Sequence, residues 1–256
     1  MDVWQALSLF SVLDGAAVAL LLAAWVAIDR LIEREGGARP STSHVMRAYR
    51  RAWMQVLVTR QPRILDGNIL ATLRQGTSFF ASATMIAIGG GLALLGNTEQ
   101  LRGLARDLTL DTAPALVWEV KILFVLMIVA NAFLQFVWSH RLFGYCAVVM
   151  ASVPNEPDHP EARLRAARAG EINITAARSF NRGLRAVYFA LAALAWFLGP
   201  AALAGAALAT VWVLWRREFA STSRRILLGE MDGAAAQGGG AGGAAPGPPG
   251  YLETRD

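Results

Sequence analysis

Asn131, Gln135 and Ser139 recur at i, i+4 and i+8 in a stretch otherwise built from aliphatic and aromatic residues, so on a helix they form one polar stripe. Amide and hydroxyl groups spaced this way in an apolar run can line a path for a solute or ion. They can equally hydrogen-bond to a neighbouring helix, a seam worth about 0.6 kcal/mol per contact. Asp14 stands inside another apolar run, where it can cap the helix, reach toward the surface, or bind a cation or proton. A third group opens the last apolar run. There Asn181, Arg182, Arg185 and Tyr188 follow one another in SFNRGLRAVYFALAALAWFLGP at 179–200. Guanidinium groups so placed can hold a phosphate or an anionic lipid headgroup, joined by Arg141 and Arg74 from other runs. The plainer alternative is a set of arginines reaching into the headgroup region beside an interfacial tyrosine.

Other chemistries lack their residues. The three histidines are His44, His140 and His159, and only His140 adjoins an apolar run, so a bis-histidine haem has no second ligand at matching depth. No H-E-x-x-H, G-x-S-x-G, P-loop or Rossmann fingerprint occurs, and Gly89-Gly90-Gly91 lies inside an apolar run rather than after a strand. Cys146 is the single cysteine, which excludes a disulfide framework and any cysteine-rich metal site. It reads as a small packing residue, with palmitoylation as the alternative. No cofactor is expected.

The elements that must carry these residues are membrane helices. The chain has 256 residues, 55% hydrophobic and only 17% charged, with a mean hydropathy of +0.39. Four apolar runs approach or exceed the roughly 20 residues that span a bilayer core. The first covers residues 10–28. No basic residue precedes it and Asp29-Arg30 follows it, so it is expected to be a retained helix rather than a cleaved signal peptide. The second covers 76–96. Its Gln75, Ser78, Ser82 and Met85 share a face, which, with Gly89 to Gly91, predicts close helix packing. The third starts near Leu116 and resumes after Arg141 as far as Val153, predicting one helix that outruns the bilayer before Pro154. Glu119 and Lys121 at its start point to different faces, and Lys121 is expected to snorkel outward.

The fourth run, 186–215, holds 30 residues interrupted by Gly199-Pro200. A continuous helix of that length would measure about 45 Å, more than a bilayer core of about 30 Å requires. Either one kinked helix crosses, or Leu198-Gly199-Pro200 turns a tight helical hairpin. The 24 basic residues, all arginine except Lys121, fall as nine from Arg30 to Arg74, three from Arg102 to Lys121, seven from Arg141 to Arg185 and five from Arg216 to Arg255. The positive-inside rule places the two richest connections in the cytoplasm, hence the N-terminus outside. With the hairpin, Arg216-Arg217 and Arg224-Arg225 also fall inside. This predicts an all-α polytopic membrane bundle of about five spans, four if the last run is one kinked helix. The net charge of +5 is then an orientation signal, with no basic module for nucleic acid.

Between spans, Ser41-Thr42-Ser43 precedes HVMRAYRRAWMQVLVTR, with Val45, Tyr49, Trp53, Val56 and Leu57 at helical spacing. This is a capped amphipathic helix on the cytoplasmic side, lying in the headgroup region or packed against other helices. Residues 161–178 form a second, more polar helix leading into the fourth run. The bundle occupies residues 1–230. Residues 231–256, with GAAAQGGGAGGAAPGPPG at 233–250, cannot bury a core and are expected to be disordered.

Five stretches carry a resemblance: MRAYRRAWM at 46–54, SFFASATMIAIGGGLALLG at 78–96, FVWSHRLFGYCAVVMASVP at 136–154, FNRGLRAVYFALAALAWFLGP at 180–200 and WRREFASTSR at 215–224. In these the chain resembles the multi-pass membrane family known as domain-of-unknown-function family five-nine-nine. The resemblance implies a shared core that includes Trp138, Arg141, Asn181, Arg185, Trp196 and Arg217. Asn131 and His140 depart from the family pattern. No reaction or ligand comes with it.

The function expected is that of a non-catalytic inner-membrane protein, an accessory or structural component of a membrane assembly. Its partners would be membrane lipids, anionic ones among them, and another membrane protein or a second copy. The alternative is a small solute or ion transporter or channel using Asp14, Asn131 and Gln135. A lipid-acting enzyme built on Asn181, Arg182 and Arg185 ranks last, because no nucleophile or base accompanies them.

Overall fold

The structure is a computed structural model that describes residues 9–36, 39–97, 103 and 114–229. The glycine-rich tail at 231–256 and most of the 98–113 connection lie outside the described residues. Among the described residues the elements are all helical: α1 (Val12–Glu33), α2 (Thr42–Thr59), α3 (Ile64–Leu95), α4 (Ala115–Ala151), α5 (Ala162–Leu194), a 3-10 turn (Ala195–Leu198), α6 (Pro200–Phe219) and α7 (Thr222–Leu227). Three of them, α1, α3 and α4, are long and apolar enough to cross a membrane. The all-α class expected from the sequence is what the chain adopts.

Local signals explain the boundaries. Ser11 and Asp14 cap α1 reciprocally. Ser11 Oγ accepts from Asp14 N at 3.1 Å, and Asp14 Oδ2 accepts from Ser11 N at 3.0 Å and from Ser11 Oγ at 2.7 Å. That is a capping box with a shorter acid at its third position. Ser41 caps α2 by accepting from His44 N at 3.1 Å, while its own hydroxyl donates to Ile32 O at 2.8 Å. Pro114 and Pro160 stand just before α4 and α5, where a residue lacking N–H costs the least. As predicted, α4 continues far beyond the residues needed to cross, and the 161–178 helix runs on without a break into the last apolar run.

That last run divides. Gly199 has φ 116° and ψ 170°, a combination open essentially only to glycine, and Pro200 begins a new helix. The interruption expected at Gly199-Pro200 is therefore present, as both the kinked-helix and the hairpin readings require.

The chain forms two compact units. Unit 1 comprises Met1–Asp29, Gly76–Trp138 and Ser179–Val213, and unit 2 comprises Arg30–Gln75, Ser139–Arg178 and Leu214–Asp256. Inside unit 1, Leu21 and Ala17 of α1 and Ala186, Phe189 and Ala193 of α5 are buried, and Trp25 stacks on Phe189 with centroids 5.7 Å apart. The Phe136 ring sits against Gly183, where a Cβ would lie 2.6 Å from a ring carbon. In unit 2, α5 buries a stripe of Ala162, Ala166, Ala169 and Ala176 against a core that includes Met54, Leu57, Phe143 and Cys146. Small side chains at that spacing let helices approach closely. Of the two settings open to α2, this core takes up Met54, Leu57 and Val58, and Val45 is buried as well, while Val56 stays exposed.

Candidate functional site

Unit 1 concentrates its polar chemistry where α1 begins and α5 breaks. Asp14 Oδ2 is used by the cap, and its Oδ1 accepts the indole N–H of Trp196 at 2.7 Å. Trp196 also accepts through its backbone carbonyl, which takes a hydrogen bond from Lys121 Nζ at 2.9 Å. The Lys121 ammonium lies 5.5 Å from the ring centroids of both Trp118 and Trp196, within cation–π range. Lys121 is only 9% exposed, so the outward snorkelling expected of it does not occur. A carbonyl at a helix end and two indole faces replace water around its charge. The signal that could have found it is its uniqueness, the one lysine beside 23 arginines.

Beside this cluster lies a cavity of about 680 Å³ lined by residues of α3, α4, α5 and the 3-10 turn. Its wall includes Thr84, Ala87, Trp118, Val125, Leu194 and Phe197. Neither Asp14 nor Asn131 nor Gln135 lines it. Asn131 and Gln135 stand partly exposed on α4, whereas Ser139, the third member of their stripe, is buried in unit 2 and donates to Ala176 O at 2.7 Å. For Ser139 the stripe is an interhelical seam.

The arginine group is distributed. In unit 1, Arg185 is 4% exposed and its Nε donates to Asp29 Oδ1 of α1. Its positive charge is thus met by a carboxylate on a neighbouring helix. Asn181 and Tyr188 are partly exposed and Arg182 is exposed. In unit 2, Arg141 donates to Tyr145 Oη at 3.0 Å with its guanidinium 6.0 Å from that ring, and Arg74 Nη2 lies 3.4 Å from His140 Nε2.

Unit 2 has its own polar network. Arg50 donates to Asn173, which is fully buried and whose Nδ2 reaches Cys146 Sγ at 3.7 Å. Burial pushes the Arg50 guanidinium below its ordinary range, and pairing with Glu171 raises that of Arg51. Trp53 Nε1 donates to Asp66 Oδ1 at 2.7 Å, and Arg60 pairs with the same oxygen. Arg63 ties the end of α4 through Val153 O at 2.6 Å and Pro154 O at 2.7 Å. These contacts pair buried charge and bind backbone carbonyls, while Asp66 Oδ2 and Arg63 Nε are buried with no hydrogen-bond partner among the described residues. Among the described residues no group of three or more His, Cys, Asp or Glu side chains gathers as a metal site.

On α3, the face carrying Gln75, Ser78, Ser82 and Met85 is exposed. The packing expected of it is not made among the described residues. Long apolar helices, an apolar cavity between them and cationic side chains at their ends define a multi-pass helical membrane protein. Within that class, the chain belongs to the family described as protein of unknown function, DUF599, whose model matches residues 16–223. No curated protein and no solved structure matches the chain at a significant level.

Proposed function

We propose that this chain is a non-catalytic protein of the inner membrane that serves as an accessory component of a membrane assembly and docks through α3. One observation carries this reading. Only 6% of the most apolar 18 residues of α3 are buried within the chain, against 44% for α4, yet the uncovered face includes Gln75, Ser78 and Ser82 beside Met85. Lipid can cover Met85, but it offers an amide and two hydroxyls no specific partner. A second membrane helix can. Gly89 and Gly90 on the same helix have open space around them, which permits close approach. Transport through Asp14, Asn131 and Gln135 is the weaker reading, because both Asp14 oxygens are occupied and the large cavity has an apolar wall.

Cross-linking from a single cysteine tests the docking. Native Cys146 is fully buried and leaves the background silent. Ser82→Cys is expected to cross-link within the membrane to a stoichiometric partner or a second copy in material extracted with its lipids, and Met127→Cys on α4 is not. A monomer without a cross-link at Ser82→Cys would overturn the proposal. The five-span topology, with N-terminus out and C-terminus in the cytoplasm, predicts that Leu198→Cys is labelled by an impermeant maleimide from outside. Four spans would leave that position within the bilayer and unlabelled.

A further inference from the structure

The cavity of unit 1 is long and almost wholly apolar. Its wall extends from Phe80 to Leu94 along α3 and from Trp118 to Val129 along α4. At 1.5 Å per residue these stretches cover roughly 16 to 21 Å, more than half the depth of a bilayer core of about 30 Å. Its volume of about 680 Å³ falls in the range of ligand pockets rather than packing defects. Leu94, Leu191 and Leu198 belong to its wall and are exposed, so the cavity is open to its surroundings rather than sealed. In a membrane those surroundings are lipid.

Among the described residues that line the cavity, none is charged, and only Thr84 and Trp118 have polar side-chain atoms. The Thr84 hydroxyl is committed to its own helix, 2.8 Å from Phe80 O and 2.9 Å from Ala81 O. Trp118 is different. It is 5% exposed, and its indole N–H has no acceptor among the described residues. A buried donor left in that condition is destabilising unless an acceptor is supplied from elsewhere. Phe197, another residue of the wall, stacks on the Trp118 ring with centroids 5.6 Å apart, so the ring edge, where the N–H sits, is what remains for an occupant. Lys121 lies outside the lining and donates to Trp196 O, so no cation of the wall selects an anion here.

We infer that unit 1 binds a membrane amphiphile whose hydrocarbon chain fills the cavity and whose uncharged carbonyl oxygen accepts from the Trp118 indole N–H. Plain hydrocarbon would leave that donor unmet, and a carboxylate would be buried with no cation in the wall to meet it. Two sources share the required chemistry: the ester of a glycerolipid and the ring carbonyl of an isoprenoid quinone.

Photolabelling tests this with the full-length protein in vesicles of phosphatidylethanolamine and phosphatidylglycerol. Two probes carry a diazirine in the chain, an ester-linked phosphatidylglycerol and an isoprenoid quinone. Each has a counterpart without the carbonyl, the same lipid in ether linkage and the same tail on a plain benzene ring. One of the two probes is expected on the lining residues Ala83, Ala87 and Val125 about tenfold above Phe79 and Ile86, which are exposed and outside the lining. The same probe should label those positions about fivefold above its counterpart, the scale of one net hydrogen bond. Which probe is enriched assigns the source. Trp118→Phe keeps the ring and should bring that probe down to the level of its counterpart, leaving the counterpart unchanged. Labelling by both probes spread evenly over Phe79 and Ile86, or equal labelling by each probe and its counterpart in the unaltered protein, would overturn the inference whether or not Trp118→Phe folds. A folded Trp118→Phe that retains the full difference would overturn it as well.

Discussion

The indole N–H of Trp196 donates to Asp14 Oδ1 at 2.7 Å across 182 residues of sequence, tying the capped start of α1 to the turn that ends α5. Trp196→Phe keeps an aromatic ring for Lys121 but removes the donor. It is expected to lower stability by about 1.5–3 kcal/mol, the scale of a hydrogen bond to a charged group. With Asp14→Asn in a double-mutant cycle, the coupling should account for most of that loss. Additive effects in thermal unfolding of the reconstituted protein would show that the contact contributes nothing.

Arg185 and Asp29 form a second long-range tie within unit 1, with the arginine side chain 5% exposed and the carboxylate 26% exposed. Asp29→Ala removes the carboxylate that meets a buried cation and is expected to destabilise by roughly 3 kcal/mol. Arg185→Leu removes the cation and leaves only a partly exposed carboxylate, so it should cost less. If Asp29→Ala behaves like a surface substitution in a denaturant titration, the pair does not anchor α5 to α1.

His44 gives unit 2 a pH dependence. Burial lowers its pKa below the ordinary histidine value, the charges of Arg47 and Arg51 lower it further, and Glu35 partly opposes them. The unfolded chain therefore binds the proton first as pH falls. Stability should be full above about pH 6.5 and decline below it, down to the depressed folded value. His44→Gln is expected to flatten that slope between pH 7.5 and 5.5 in thermal melts. An unchanged slope would assign the dependence to other groups.

Gly183 lets the Phe136 ring reach the backbone of α5. A Cβ there would fall 2.6 Å from one ring carbon and 2.9 Å from two others. Gly183→Ala should cost about 1–3 kcal/mol by overpacking, despite alanine's better helix propensity. Phe136→Leu in the same chain should recover part of the loss. If Gly183→Ala is stabilising, the ring has room to move that the packing of Phe80 and Phe180 around it argues against.

Much of the fold was legible before any coordinates. The cap at Ser41, the capping option of Asp14, the unbroken length of α4, the helix at 161–178 and the interruption at Gly199-Pro200 all rest on interactions within a few residues. Hydropathy, capping chemistry and backbone strain act over that range, so they can be read along the chain.

The partners of the charged residues were not legible. Lys121 turns inward to Trp196, Arg185 pairs with Asp29, and the cavity wall is assembled from three helices and a turn. Each depends on which side of a helix faces protein. In a soluble helix the hydrophobic stripe reports that side. In α3 and α4 the lipid-facing and protein-facing sides are almost equally apolar, so the pattern carries little directional information. Sequence by itself determined that the chain forms long apolar helices and where they stop. Tertiary packing alone decided which faces meet, and with them which charges are paired and where the space between the helices lies.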